Sequence, residues 1–110
     1  MSNERPPNEV NPHETTAFAA ELNDETSTVD LHEMTTDEAV HALDTAVNHA
    51  FMEGDEAIRI IHGRGEGKLR KAVQDHLRSQ KELVAFFRDS YAPGQTGGVT
   101  IAVLHSKRPT

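Results

Sequence analysis

Ala57-Ile58-Arg59-Ile60-Ile61-His62-Gly63-Arg64-Gly65-Glu66-Gly67-Lys68-Leu69-Arg70 reads as a strand, a glycine turn and the start of a helix. Residues 57–62 are rich in β-branched side chains, the mark of a short strand, while Leu69, Ala72, Val73, His76 and Leu77 recur at helical spacing from Lys68 to about Gln80. Gly63, Gly65 and Gly67, at alternate positions, permit left-handed dihedrals and let a ligand approach the backbone closely. The helix that follows exposes unpaired N–H groups, and Arg64, Lys68 and Arg70 add positive charge at the same end, a constellation suited to phosphate. No Gly-Lys-Ser/Thr closes the loop and its spacing is not that of the dinucleotide fingerprint, so ATP and NAD rank low. The rival reading is an ordinary flexible turn.

Toward the N-terminus, Val29-Asp30-Leu31-His32 alternates apolar and polar, the period of a half-buried strand. Thr35 and Glu38 make a capping box ahead of Ala39, Val40, Leu43, Ala46, Val47, Ala50 and Phe51, an apolar stripe that predicts a helix over about 36–53, ended by Gly54. Toward the C-terminus, Leu83–Phe87 and Val99–Leu104 read as two further strands. The order β-α-β-α-β-β predicts an α/β two-layer sandwich. A right-handed crossover joins its first two strands in parallel, both helices lie on one face, and its four-stranded sheet is mixed. The last two strands carry apolar residues on both faces, so the face away from the helices needs cover. Phe18 and Leu22, on a short helix over 15–22 capped by Thr15 or Thr16, are the expected cover; a dimer interface or a partner groove are the alternatives. The domain is expected at 28–105. It is preceded by an acidic extension, 1–27, whose first 13 residues carry three Pro and read as a disordered tail, and it is followed by a short tail, 106–110.

Zero Cys in 110 residues excludes disulfides, thiolate metal sites and a cysteine nucleophile. No apolar run is long enough to span a membrane and the first 15 residues hold no signal-like apolar stretch, so a cytoplasmic, membrane-free protein is expected. The net charge of −7 speaks against nucleic acid, but it is unevenly distributed. Residues 1–57 hold fourteen acids and only Arg5, whereas residues 58–110 hold ten Lys and Arg against four acids. The basic half, which contains the glycine turn, offers a phosphate-facing surface, although a solvated face has the same charge pattern.

Asp30 and His32 end the first strand with side chains on one face, at the edge where α/β folds place ligands. A carboxylate and an imidazole at this spacing can hold a divalent ion, or the carboxylate can orient a histidine that takes a proton from water or a ribose hydroxyl. An ordinary turn cap and a surface histidine are the bland alternative. Parallel pairing of the first two strands brings His32 and His62 toward one groove, which Gly94, Gly97 and Gly98 could border.

In four ordered blocks the chain resembles a stand-alone member of the Smr (small MutS-related) domain family. The blocks are Asp30-Leu31-His32-Glu33; Glu38-Ala39; Ile60-Ile61-His62-Gly63-Arg64-Gly65-Glu66-Gly67-Lys68-Leu69-Arg70; and Gly97-Gly98 followed by Val99–Leu104. The resemblance implies a fold similar to the C-terminal domain of translation initiation factor three, binding to DNA or RNA, and metal-assisted nicking with Mg or Mn. It places Asp30, His32 and His62 at the catalytic end and Gly63, Arg64, Gly65, Gly67, Lys68 and Arg70 on nucleic acid. Asp30 and His32 are its implied metal ligands, joined by Glu33, which stands where the family carries glycine and either adds a ligand or repels phosphate. The expected molecule is a monomer. A non-catalytic module acting with a ribosome or a larger protein, and a protein-interaction domain using the open sheet face, are the competing readings.

Overall fold

The computed structural model describes residues 11–107. Its elements run α1 (Pro12–Leu22), β1 (Ser27–Asp30), α2 (Thr36–Met52), β2 (Ala57–Ile61), α3 (Lys68–Ser79), β3 (Val84–Asp89) and β4 (Val99–Leu104). One mixed sheet has the strand order β1-β2-β4-β3, with β1 and β2 parallel and β4 antiparallel to both its neighbours. Among the described residues no helix is long and apolar enough to cross a membrane.

Alternation along the strands divides the apolar residues between two cores. Ile58, Ile60, Ala102 and Leu104 face α2 and α3, where Leu43, Val47, Val73 and Leu77 close the larger core. Each such Leu or Ile contributes roughly 1.5–3 kcal/mol by leaving water. The capping box of α2 is complete: the Glu38 N–H donates to Thr35 Oγ1 at 3.1 Å and the Thr35 N–H to Glu38 Oε1 at 3.0 Å. The opposite face of the sheet presents Ala57, Val99, Ile101 and Val103, and α1 lies across it.

That cover differs from the expected one. Ala17 and Ala20 meet the sheet, while Phe18 and Leu22 are 58% and 63% exposed. Small side chains allow close approach of helix to sheet, and polar contacts anchor the rest of the seam. Arg88 donates to both oxygens of buried Glu21, at 2.9 and 3.1 Å, and also pairs with Glu14. Ser90 Oγ and the Tyr91 N–H donate to Glu21 as well. These contacts hold the Glu21 carboxyl down at about 2, chiefly through the Arg88 hydrogen bonds, against the opposing effect of burial. Arg59 donates to the carbonyls of Ala20, Glu21 and Asn23, supplying the positive charge that the last turn of α1 lacks.

The helix also starts earlier than the expected Thr15. Asn11 caps it, accepting from the His13 N–H at 2.8 Å, and Pro12 occupies the first turn, where its missing N–H costs nothing. Pro12 and His13 are therefore helical, and residues 1–10 of the expected tail lie outside the described residues. In β3 a register shift between Val84 and Phe86 puts Val84 and Phe87 on the α2/α3 side and Phe86 on the α1 side, replacing the simple alternation expected from Leu83 to Phe87.

Candidate nucleic-acid interface

Parallel pairing sets the C-terminal ends of β1 and β2 side by side, with the Leu31 N–H donating to the Ile61 carbonyl at 2.7 Å. His32 follows β1 and returns toward it: its Nδ1 lies 2.6 Å from Asp30 Oδ1, which also accepts the His32 backbone N–H at 3.1 Å. The two side chains are 51% (Asp30) and 56% (His32) exposed. The paired carboxylate raises the pKa of His32, and the imidazole hydrogen bond lowers that of Asp30. A β-carbon placed on Gly63 would lie 3.5 Å from His32 Cβ, so the glycine loop begins directly against the pair. Between them runs an open cleft of about 330 Å³, walled by His32 and Glu33 on one side and the loop from His62 to Leu69 on the other.

Gly63, Gly65 and Gly67 all have positive φ, at 78°, 41° and 87°. Gly67 is the N-cap of α3 and contributes no side-chain cap, and the first turn of α3 contains no acid. The N-terminus of α2, by contrast, closes on itself with its capping box and carries Asp37 and Glu38. With the exposed Lys68 added to the positive end of the helix dipole, α3 presents a terminus complementary to an anion.

The expected phosphate ligands fall into different settings. Lys68 extends into solvent, 80% exposed and 3.8 Å from Glu66. Arg64 is exposed but clasps a second loop, its Nε donating to the Thr96 carbonyl at 3.0 Å and its NH2 to the Gly94 carbonyl at 3.1 Å. The Gly63 and His62 N–H groups both donate to the Gly98 carbonyl, so the two glycine loops form one rim. Arg70 is committed to Asp89 through two hydrogen bonds, at 3.0 and 2.7 Å.

His62 is 3% exposed. Its Nδ1 donates to the Gly63 carbonyl at 3.0 Å and its Nε2 lies 2.9 Å from Thr100 Oγ1. Burial lowers its pKa, favouring the neutral ring, so Nε2 accepts from the Thr100 hydroxyl. Gln74 Nε2 donates to Thr100 Oγ1 and to Asp89 Oδ1, which connects Arg70, through the shared acceptor Asp89, to the loop. A single sequence does not reveal this connection, because Gln74, Asp89 and Thr100 lie on three different elements and carry no motif.

Glu33 has φ 69°, the one positive value at a described residue other than glycine. Asp30, His32 and Glu33, the implied metal ligands, do not converge: among the described residues no three His, Asp or Glu side chains are grouped to hold a metal ion. Asp30 Oδ1 is engaged by His32, and Glu33 stands on the turn beyond. This donor set does not compose a resident metal site.

The Smr domain family model matches residues 29–105. The chain belongs to the Smr domain family. The domain is 41% identical over 66 residues to a protein named Endonuclease MutS2 from Aquifex aeolicus, covering 60% of this chain and 8% of that protein. Against Endonuclease MutS2 of Staphylococcus carnosus it is 44% identical over 77 residues, covering 69% of this chain and 10% of that protein. The Smr chain thus spans about a tenth of the length of these curated relatives. Among solved structures, the Smr domain of Thermus thermophilus MutS2 superposes with a TM-score of 0.68 at 37% identity, over 73% of this chain and 99% of that one. YdaL, a stand-alone small MutS-related protein from Escherichia coli, shares the fold with a TM-score of 0.66 at 19% identity, over 74% of this chain and 66% of that one.

Proposed function

We propose that this Smr domain binds DNA or RNA along the glycine cleft and hydrolyses or transesterifies a phosphodiester there, with His32 as general base and Asp30 as its orienting partner. The observation that carries the reading is the exposed Asp30–His32 pair, 2.6 Å apart, standing against the loop that opens α3. The endonuclease names of the relatives support the same chemistry.

With Nδ1–H donated to Asp30, the neutral His32 ring presents the Nε2 lone pair to a water or a ribose 2′-hydroxyl. Proton removal generates the oxygen nucleophile, which forms a new P–O bond as the P–O bond to the leaving ribose oxygen breaks, and that oxygen takes a proton from solvent. The loop N–H groups, Arg64 and Lys68 bear the negative charge that grows on the phosphate oxygens. Thr100 and Gly63 saturate both ring nitrogens of His62, so His62 positions the loop rather than exchanging a proton. The catalytic end implied by the resemblance narrows to Asp30 and His32, and Arg70 braces the domain through Asp89 rather than reaching for phosphate.

The test is incubation with supercoiled plasmid and with labelled single-stranded RNA in Mg²⁺, Mn²⁺ and EDTA, beside binding measured at several salt concentrations. Binding is expected to weaken as salt rises, and Arg64→Ala to weaken it further. Cleavage is expected on at least one substrate. Salt-sensitive binding with no cleavage in any arm would leave a binding module and overturn the chemistry; absence of binding would overturn the whole reading.

A further inference from the structure

Resting on that reading, we infer that Tyr91 is a stacking platform for an unpaired base, which makes single-stranded DNA or RNA the substrate class of the cleft. Tyr91 is 66% exposed, yet it is firmly held. The guanidinium of Arg88 lies 4.1 Å from the ring centroid, and the Tyr91 N–H donates to Glu21. Arg88 is in turn fixed by Glu14 and Glu21, so the ring rests on an ion pair that is itself 8% (Arg88) and 2% (Glu21) exposed. An aromatic ring that leaves the core and is immobilised on an arginine offers stacking area at little further entropic cost.

Its position joins it to the cleft. Tyr91 stands three positions before Gly94, hence within about 11 Å of it along the chain. The Gly94 carbonyl is one of the two that Arg64 grips, and Arg64 belongs to the glycine loop. A strand whose phosphate sits in the cleft therefore has an aromatic surface within the reach of its neighbouring nucleotides. Duplex bases are stacked on one another and cannot use that surface, whereas unpaired bases can.

The chain carries one tyrosine and no tryptophan, so tyrosine emission reports this ring alone. The experiment titrates wild-type protein with short DNA and RNA oligonucleotides, single-stranded and duplex, following Tyr emission and, separately, the anisotropy of a labelled oligonucleotide. Quenching is expected with single strands at the midpoint given by anisotropy, and not with duplexes; the DNA and RNA arms distinguish the two sources of unpaired base. Tyr91→Ala is expected to weaken single-strand binding about tenfold and Tyr91→Phe to stay within about twofold of wild type. Binding by anisotropy with unchanged emission, or Tyr91→Ala binding like wild type, overturns the platform while the cleft reading stands. No binding by anisotropy overturns both.

Discussion

Two carboxylate–base pairs flank the sheet, and they differ in access to water. Asp30 and His32 are about half exposed, whereas Glu21 and Arg88 retain only 2% and 8% of their side-chain exposure. The buried pair is surrounded by further donors, with Ser90 and the Tyr91 N–H completing the shell of Glu21, so its charges are spent on holding α1 to the sheet. The exposed pair leaves the far nitrogen of its imidazole open beside a cleft. Carboxylate–base pairing is thus structural where water is excluded and chemically available where water and substrate can enter.

The largest expected effect comes from breaking the buried pair. Arg88→Ala strands the Glu21 carboxylate and is expected to lower unfolding free energy by about 3–5 kcal/mol in urea, whereas Asp30→Asn should cost less than about 1 kcal/mol. The same contrast has a pH signature. Because Glu21 is held at about 2 against 4.5, the stability it confers is present above 4.5 and is lost as pH falls toward 2. Glu21→Gln should remove that part of the acid-denaturation slope.

The exposed pair has a pH signature of its own, in rate rather than in stability. His32 must be neutral to act as a base, and Asp30 raises its pKa, so cleavage should fall away on acidification through a point above 6.5. Asp30→Asn should move that inflection to lower pH in a pH–rate profile.

Much of this architecture was legible in the sequence. The capping box at Thr35, the alternation of Val99–Leu104 and the glycine turn are local signals, and local dihedrals and hydrogen bonds satisfy them. The seam under α1 was not legible, because reading by size sends Phe18 and Leu22 inward. The sheet instead takes Ala17 and Ala20, and Glu21 is buried only because Arg88, 67 residues away, meets it. The pairing of Arg70 with Asp89 is illegible for the same reason, since the two residues are distant in sequence. The exposed setting of Tyr91 is equally illegible, since nothing local shows that Arg88 holds it outside the core.

Two smaller effects are expected, one at the cleft wall and one on α1. Glu33→Gly relieves the left-handed backbone at φ 69° and is expected to stabilise by about 0.5–1 kcal/mol, while tighter oligonucleotide binding should follow from removing a carboxylate at the cleft wall. On the α1 side, Phe18→Ser should leave the unfolding midpoint nearly unchanged, within about 0.5 kcal/mol, because Phe18 faces solvent.

The most direct measurement is single-turnover cleavage by His32→Ala, made beside oligonucleotide affinity and urea unfolding of the same protein. Loss of cleavage with wild-type affinity and an unchanged unfolding midpoint is the expected result. Cleavage at the wild-type rate, or a loss of stability on the scale expected of Arg88→Ala, would contradict the assignment of chemistry to the exposed pair.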